Sequence, residues 1–449
     1  MVLTPIKPMK HQAESLRFMA TRPSVLDFSD CGTGKTFVEI IDFVKRHKVD
    51  KLAMLVFCPK SIMYAAWAQD IKKFAPHLKV SLCYAQNRAA TLATPADVYV
   101  VNIDGAIDML TMPLKFWKKF GTLVIDEADS IKHRTSNRSK AIAKIAKYFP
   151  YIRLMTGTPG SNGICDLWHL AFVADGGQRL GKSYFAFRAA CCIPIQTGPS
   201  AQMVKWEDRP GVELLVAAML SDITIRHKFT DCVDIPDNHR YHVVTQLSVS
   251  HRKIYEKLKA DSYAEIGKTG ITATNGAVLA TKLLQSASGA VYNDAGSYSL
   301  VATDRYALVL ELVEARKHSV VFYLWDHQRE ELIKEAQRRK LVFTVWDSNK
   351  PQLESEFQSG KYQVMFAHPA SAGHGLTLTR ATSTIWASPT YRLDHFEQGL
   401  KRIHRIGQTE KTETIVIVAE DTFDEKVWNA LLNKRVRMTD LFEAIQEAA

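Results

Sequence analysis

The sequence has no run of about 18 apolar residues, no paired-cysteine motif, no low-complexity linker and no internal repeat at a 20–50-residue period. The first absence excludes a membrane-spanning helix. The opening "MVLTPIKPMKHQ" also lacks the apolar stretch of a signal peptide, so a soluble, cytoplasmic protein is expected. Seven cysteines, at 31, 58, 83, 165, 191, 192 and 232, form no CxxC pair. Neither a zinc site nor a disulfide framework is expected from them, and reduced thiols are.

What is present is globular. A length of 449 residues allows about two to three domains, and 46% hydrophobic with 23% charged residues suits a sizeable core. The net charge of +11, from 58 basic and 47 acidic residues, favours a polyanionic partner. Nucleic acid fits better than membrane, because no basic amphipathic anchor stands out. Charge alone does not decide this, since many basic enzymes bind no nucleic acid.

Apolar runs alternate with amphipathic stretches along the first half. "PSVLDFS", "KLAMLVFCP", "ADVYVVN", "GTLVIDEAD" and "YIRLMTGTP" read as strands, and "KTFVEIIDFVKRH", "SIMYAAWAQDIKKF" and "SNRSKAIAKIAKYF" as helices. That order implies βαβ units and a parallel sheet, hence an α/β fold. It also places Gly32, Thr33, Gly34, Lys35 and Thr36 between a strand and a helix, where backbone N–H groups cradle phosphate. Ser29 stands where the full phosphate-loop pattern has a glycine. Lys35 is expected to reach the β- and γ-phosphates of ATP and Thr36 to ligate Mg²⁺.

Asp126 and Glu127 end an apolar strand. Asp126 is expected to organise Mg²⁺ and Glu127 to act as base toward the attacking water. In the second half "HSVVFYLW", "LVFTVW", "KYQVMFAH", "STIWAS" and "ETIVIVA" repeat the strand pattern without a second GKT. One nucleotide clamped between two lobes, with arginines supplied by the second, accounts for that. Arg402 and Arg405, three apart in "QGLKRIHRIGQ", share one face if helical; an isolated RxxR is more often a solvated basic face.

The ordered set "DCGTGKT", "LVFCPKSIMYAAW", "VIDEADSIKH", "LMTGTP", "NGICDLW", "SAGHGLTLTRA" and "QGLKRIHRIGQ" resembles the Swi/Snf family of superfamily-two helicase-like ATPases, over nearly the whole chain. The letters DEAD at 126–129 also occur in the RNA helicases of that name. Those proteins carry SAT where this chain has Thr156-Gly157-Thr158-Pro159, and HRIGR where this has "HRIGQ". The resemblance implies two tandem RecA-like lobes with parallel sheets, residues 1–235 and 236–449, with short helical protrusions at about 161–230 and 249–300. Such short protrusions suit a compact phage or bacterial version.

The resemblance also implies roles by position. Gln12 reads the adenine edge, and Gly375 and Gln398 complete the nucleotide pocket with Arg402 and Arg405 as fingers. Lys60, Ser61, Asn102, Lys132, Ser371 and Gly373 meet the nucleic-acid backbone, with Ser61 placed to cap a helix. Thr156 to Pro159 couple the two sites. At residue 374 the family carries an acid where this chain has His374. The implied activity is a monomeric, DNA-stimulated ATPase that moves on double-stranded or branched DNA, remodelling forks, annealing strands or displacing proteins. An RNA or single-strand helicase and an inactive nucleic-acid-binding scaffold remain the alternatives.

Overall fold

Strands that are apolar at every position, rather than at alternate ones, are covered on both faces. The computed structural model, which describes residues 7–196, 203–269, 273–293, 295–372 and 376–448, assembles such strands into two large parallel sheets. The chain divides into two units, one holding residues 1–194, 206–234 and 434–449, the other 195–205 and 235–433. The division after residue 234 lies beside the boundary expected at 235/236. Residues 434–449, expected in the second lobe, group with the first unit.

The first unit carries β1 (Ser24–Asp27), β2 (Ala53–Cys58), β3 (Val80–Cys83), β4 (Val98–Asn102), β5 (Phe120–Asp126), β6 (Tyr151–Met155) and β7 (Thr224–Ile225). Their order across the sheet is β3-β4-β2-β5-β6-β1-β7, each pair parallel. Every residue of β2 and β5 is buried. Helix α1 (Lys10–Ala20) precedes β1 and α2 (Lys35–Asp50) follows it. Ile40 and Phe43 of α2 pack into a core with Met54, Val56, Trp67, Val98 and Val124. Register then fixes the level of the functional ends: Asp27 of β1 and Asp126 of β5 both stand opposite Met155 of β6. Carboxyl ends of parallel strands are where ligands sit in such sheets. Helices α3 (Cys165–Asp175) and α4 (Tyr184–Cys191) lie in the segment expected as a protrusion, but α3 packs against β1 and β6 of the main sheet, and β7 returns to that sheet.

Beneath α2 lies a buried charge cluster that the sequence pattern did not announce. Arg153 of β6 is wholly buried; its Nη1 donates to Pro23 O at 2.8 Å and its Nη2 to Arg22 O at 3.1 Å. Its Nε lies 3.5 Å from Asp42. Burial raises the neighbouring Glu39 carboxyl to about 7, against the opposing pull of Arg153. Such a group supports the fold when protonated: that support is complete below the ordinary carboxylate range and is lost as pH rises through about 7. Glu39→Gln should therefore gain stability relative to wild type at pH ~8, by roughly 2–3 kcal/mol, and little at pH ~4.5. Thermal unfolding of both proteins across this range checks it; a difference independent of pH refutes the assignment.

The second unit carries β8 (Asn238–Thr245), β9 (Ser319–Phe322), β10 (Phe343–Val345), β11 (Val364–Ala367), β12 (Ser383–Trp386) and β13 (Thr412–Ala419). Their order is β8-β13-β12-β9-β11-β10, again all parallel. The edge strand β8 is not marked by an apolar run, because "NHRYHVVT" is polar and only half-covered. Buried Arg305 ties this unit together: Nη1 donates to Ala387 O and Nη2 to Asp424 Oδ2, at 3.0 and 2.6 Å. Helix α5 (Leu393–Leu400) brings the last motif into place. Among the described residues, no helix is long and apolar enough to cross a membrane.

Candidate active site

Between Asp27 and Lys35 the chain must turn from strand to helix. Gly32 and Gly34 permit it with φ of 91° and 84°, in the left-handed region that side chains resist. Crowding adds a second reason, since a Cβ on Gly34 would lie 2.5 Å from Gln12 Nε2. Lys35 Nζ donates back to Ser29 O at 2.7 Å and Asp30 O at 3.1 Å. An ammonium has three donors, so one remains for a phosphate oxygen. Burial pulls the Lys35 pKa down, but the Cys31 sulfur with Asp27, Glu127 and Asp126 outweighs it, and the net movement is upward. The lysine is thus held charged.

Ser29, the departure from the phosphate-loop pattern, is used rather than tolerated. Its N–H donates to Asp27 Oδ1 at 2.9 Å, and its Oγ accepts the His227 N–H at 3.1 Å. The same distant segment grips Asp30: Arg226 Nη1 donates to Oδ1 at 3.1 Å and the Phe229 N–H to Oδ2 at 3.0 Å. Arg226, His227 and Phe229 therefore buttress the loop. Sequence reasoning missed them because the contacts span about 200 residues and no local pattern marks them.

Thr33 is buried, and its carbonyl accepts from Gln12 Nε2 at 3.3 Å and faces His11 Nε2 at 2.8 Å. Gln12 Oε1 accepts the Met9 N–H at 3.0 Å. Gln12, expected at the adenine edge, thus also braces the loop from α1.

Asp126 is 8% exposed and accepts from Trp67 Nε1 at 2.9 Å and from the Glu127 N–H at 3.0 Å. Burial, then the adjacent Glu127 charge, raises its carboxyl to about 6. Glu127 itself has φ of 53°, a strained conformation for a side chain with a Cβ. Trp67, wholly buried in the wide helical turn Met63–Ala68, orients Asp126, a role that no local sequence pattern marks. Thr36, second residue of α2, supplies a hydroxyl at the same carboxyl edge. A hydroxyl and a desolvated carboxylate are hard oxygen donors, which suits Mg²⁺. Among the described residues no group of three or more His, Cys, Asp or Glu could hold a metal, so the remaining ligands would be substrate and water oxygens.

Between the two strands sits the Thr156–Pro159 turn. The Thr156 N–H donates to Asp27 O at 3.0 Å, and a Cβ on Gly157 would lie 3.1 Å from Cys31 Sγ. The turn packs directly on the phosphate loop.

The expected nucleic-acid contacts of this unit are spread more widely. Lys60 and Ser61 are exposed after β2. Ser61 is not a helix cap: the cap position falls on Ile62, and no side chain bonds there. Asn102 closes β4 and accepts from Arg88 Nη2 at 2.8 Å. Lys132 Nζ donates to Ser161 Oγ at 2.5 Å and lies 3.6 Å from Asp166.

In the second unit Ser371 Oγ donates to His368 O at 3.0 Å, while Gly373 and Gly375, with His374, lie outside the described residues. Gln398 is buried on α5. That helix stops at Leu400, so Arg402 and Arg405 do not share a helical face. They converge nonetheless: Arg402 Nη1 and Arg405 Nη1 both donate to Leu376 O, at 3.2 and 2.8 Å. Gln408 explains the ending of "HRIGQ", because its Nε2 donates to Thr379 O, Ala381 O and Ile403 O within 3.2 Å.

The chain is similar to known proteins over most of its length. The SNF2-related domain matches residues 11–288. Protein p41 of Acyrthosiphon pisum secondary endosymbiont phage 1 is 30% identical over 413 residues, covering 87% of this chain and 88% of its own. The uncharacterized ATP-dependent helicase MG018 of Mycoplasma genitalium is 26% identical over 89% of this chain and 38% of its own. The DNA annealing helicase and endonuclease ZRANB3 of Bos taurus is 23% identical over 96% and 40%. The chain thus spans most of the phage protein but well under half of the two helicases. With 278 of its 449 residues inside the matched domain, counting 11 through 288, this chain belongs to the SNF2-related domain family.

Proposed function

We propose that this protein is a DNA-stimulated ATPase that translocates on double-stranded or branched DNA. The observation that carries the reading is the junction of Lys35, Asp126 and Glu127 at one carboxyl edge, with the Thr156–Pro159 turn packed on the phosphate loop. Lys35 draws the β- and γ-phosphates toward the loop amides, and Glu127 takes a proton from the attacking water. Mg²⁺, held by Thr36 and Asp126, would neutralise charge developing on the phosphate oxygens. Trp67 keeps the Asp126 carboxylate aimed at that position.

Arg402 and Arg405 of the second unit act as fingers on the γ-phosphate, and Gly375 and Gln398 contribute to nucleotide binding. Lys60, Ser61, Asn102, Lys132, Ser371 and Gly373 grip the backbone of the tracked strand, so affinity is governed by phosphate contacts and little sequence is read. Alternating grip, timed by hydrolysis, moves the protein along DNA as a monomer. The net charge of +11 and a relative named as a DNA annealing helicase support DNA as the partner.

The test is the ATPase rate over duplex DNA, forked DNA, single-stranded DNA and RNA. The reading expects the largest stimulation from duplex or forked DNA. Maximal stimulation by RNA or single strands contradicts it in favour of a helicase of the other kind, and no hydrolysis under any condition leaves a scaffold.

A further inference from the structure

Two residues beyond Lys132 begins a surface that no part of the ATPase cycle uses. Arg134 holds its guanidinium 4.4 Å from the Tyr184 ring centre and 4.8 Å from that of Phe185. Arg188 lies 5.4 Å from the Phe185 ring centre and 4.1 Å from that of Trp206. Phe185 is nevertheless 60% exposed, on the first turn of α4. Its neighbour Tyr184 is anchored edge-on against Trp168 of α3, whose Nε1 donates to Gly181 O at 3.1 Å. The aromatic platform is therefore rigid rather than a loose loop.

Neither Arg134 nor Arg188 pairs with a carboxylate among the described residues, and the buried Arg188 Nε has no hydrogen-bond partner there. Two guanidinium groups beside a ring that is still 60% exposed match a particular chemistry. Phosphates on either side of a nucleotide meet the arginines, and an unpaired base stacks on the phenyl ring. A fully paired duplex buries its base faces and offers nothing to Phe185, whereas an acidic protein would leave the ring unmatched.

We propose that the exposed face of Phe185, with Arg134 and Arg188 close by, is a stacking site for an unpaired nucleobase, so that the protein recognises junctions between duplex and single strand. This deepens the DNA-translocase reading and rests on it.

The test compares the full chain with Phe185→Ala and Phe185→Trp on a forked DNA and a blunt duplex of equal length, with 2-aminopurine at the first unpaired position. Wild type should bind the fork more tightly and quench the probe. Phe185→Ala should lose about 5- to 100-fold on the fork and nothing on the blunt duplex, while Phe185→Trp retains fork binding. Equal loss on both DNAs, or no loss on either, overturns the proposal. A wild type that shows no nucleic-acid-stimulated ATPase would instead sink the parent reading. Duplex-stimulated ATPase with Phe185→Ala indifferent would sink only this one.

Discussion

Lys35→Ala is expected to reduce ATP hydrolysis by at least ~10²–10³-fold, the cost of removing one preorganised donor to a developing anion. The structure argues for the upper end. Lys35 is set among the carboxyl groups of Asp27, Asp126 and Glu127, and without it those groups face an incoming triphosphate as net repulsion. Nucleotide affinity should fall together with turnover. Lys35→Arg should not restore activity, because a planar fork cannot replace a compact ammonium bonded to both Ser29 O and Asp30 O. Folding should survive, since the buttress from Arg226, His227 and Phe229 is untouched. Steady-state hydrolysis with and without duplex DNA, beside fluorescent-nucleotide binding, checks each part. A Lys35→Ala protein with near-normal turnover would place the chemistry elsewhere.

Arg405→Ala should be the complementary case. An arginine finger contributes ~10³–10⁵ in rate, and its effect falls on the transition state. Turnover should collapse while ATP binding stays within several-fold of wild type, because the phosphate loop of the first unit is intact. Arg402→Ala is a less clean test, since Arg402 is buried and bonded through Nε to Gln398 O and through Nη1 to Leu376 O. Its removal disturbs the turn that presents both guanidinium groups. Arg405 is less covered, so its loss reads out chemistry rather than packing.

Much of this was legible in the sequence because the parallel sheets are written as local apolar runs, and strands such as "AMLVFC" admit few other readings. The placement of Gly32, Gly34 and Lys35 at a strand-to-helix turn, and of Asp126 at the end of a strand, was legible too, since apolar runs on either side mark those ends. What stayed hidden was carried by contacts between distant segments: the grip of residues 226–229 on Ser29 and Asp30, Trp67 on Asp126, and the strap from Gln408. The polar edge strand β8 escaped because its burial is set by its neighbour rather than by its own composition. Two local expectations gave way to tertiary packing. Ser61 is not a cap, and the RxxR pair stands on turns rather than on a helical face, brought together by one shared carbonyl.

The most direct test is the distance from the Arg405 guanidinium to the transferring phosphoryl group, in a structure with duplex DNA and an ADP–metal fluoride that mimics the transition state. The account predicts hydrogen-bond distance, about 3 Å. An Arg405 directed away from the nucleotide in every captured state would contradict it.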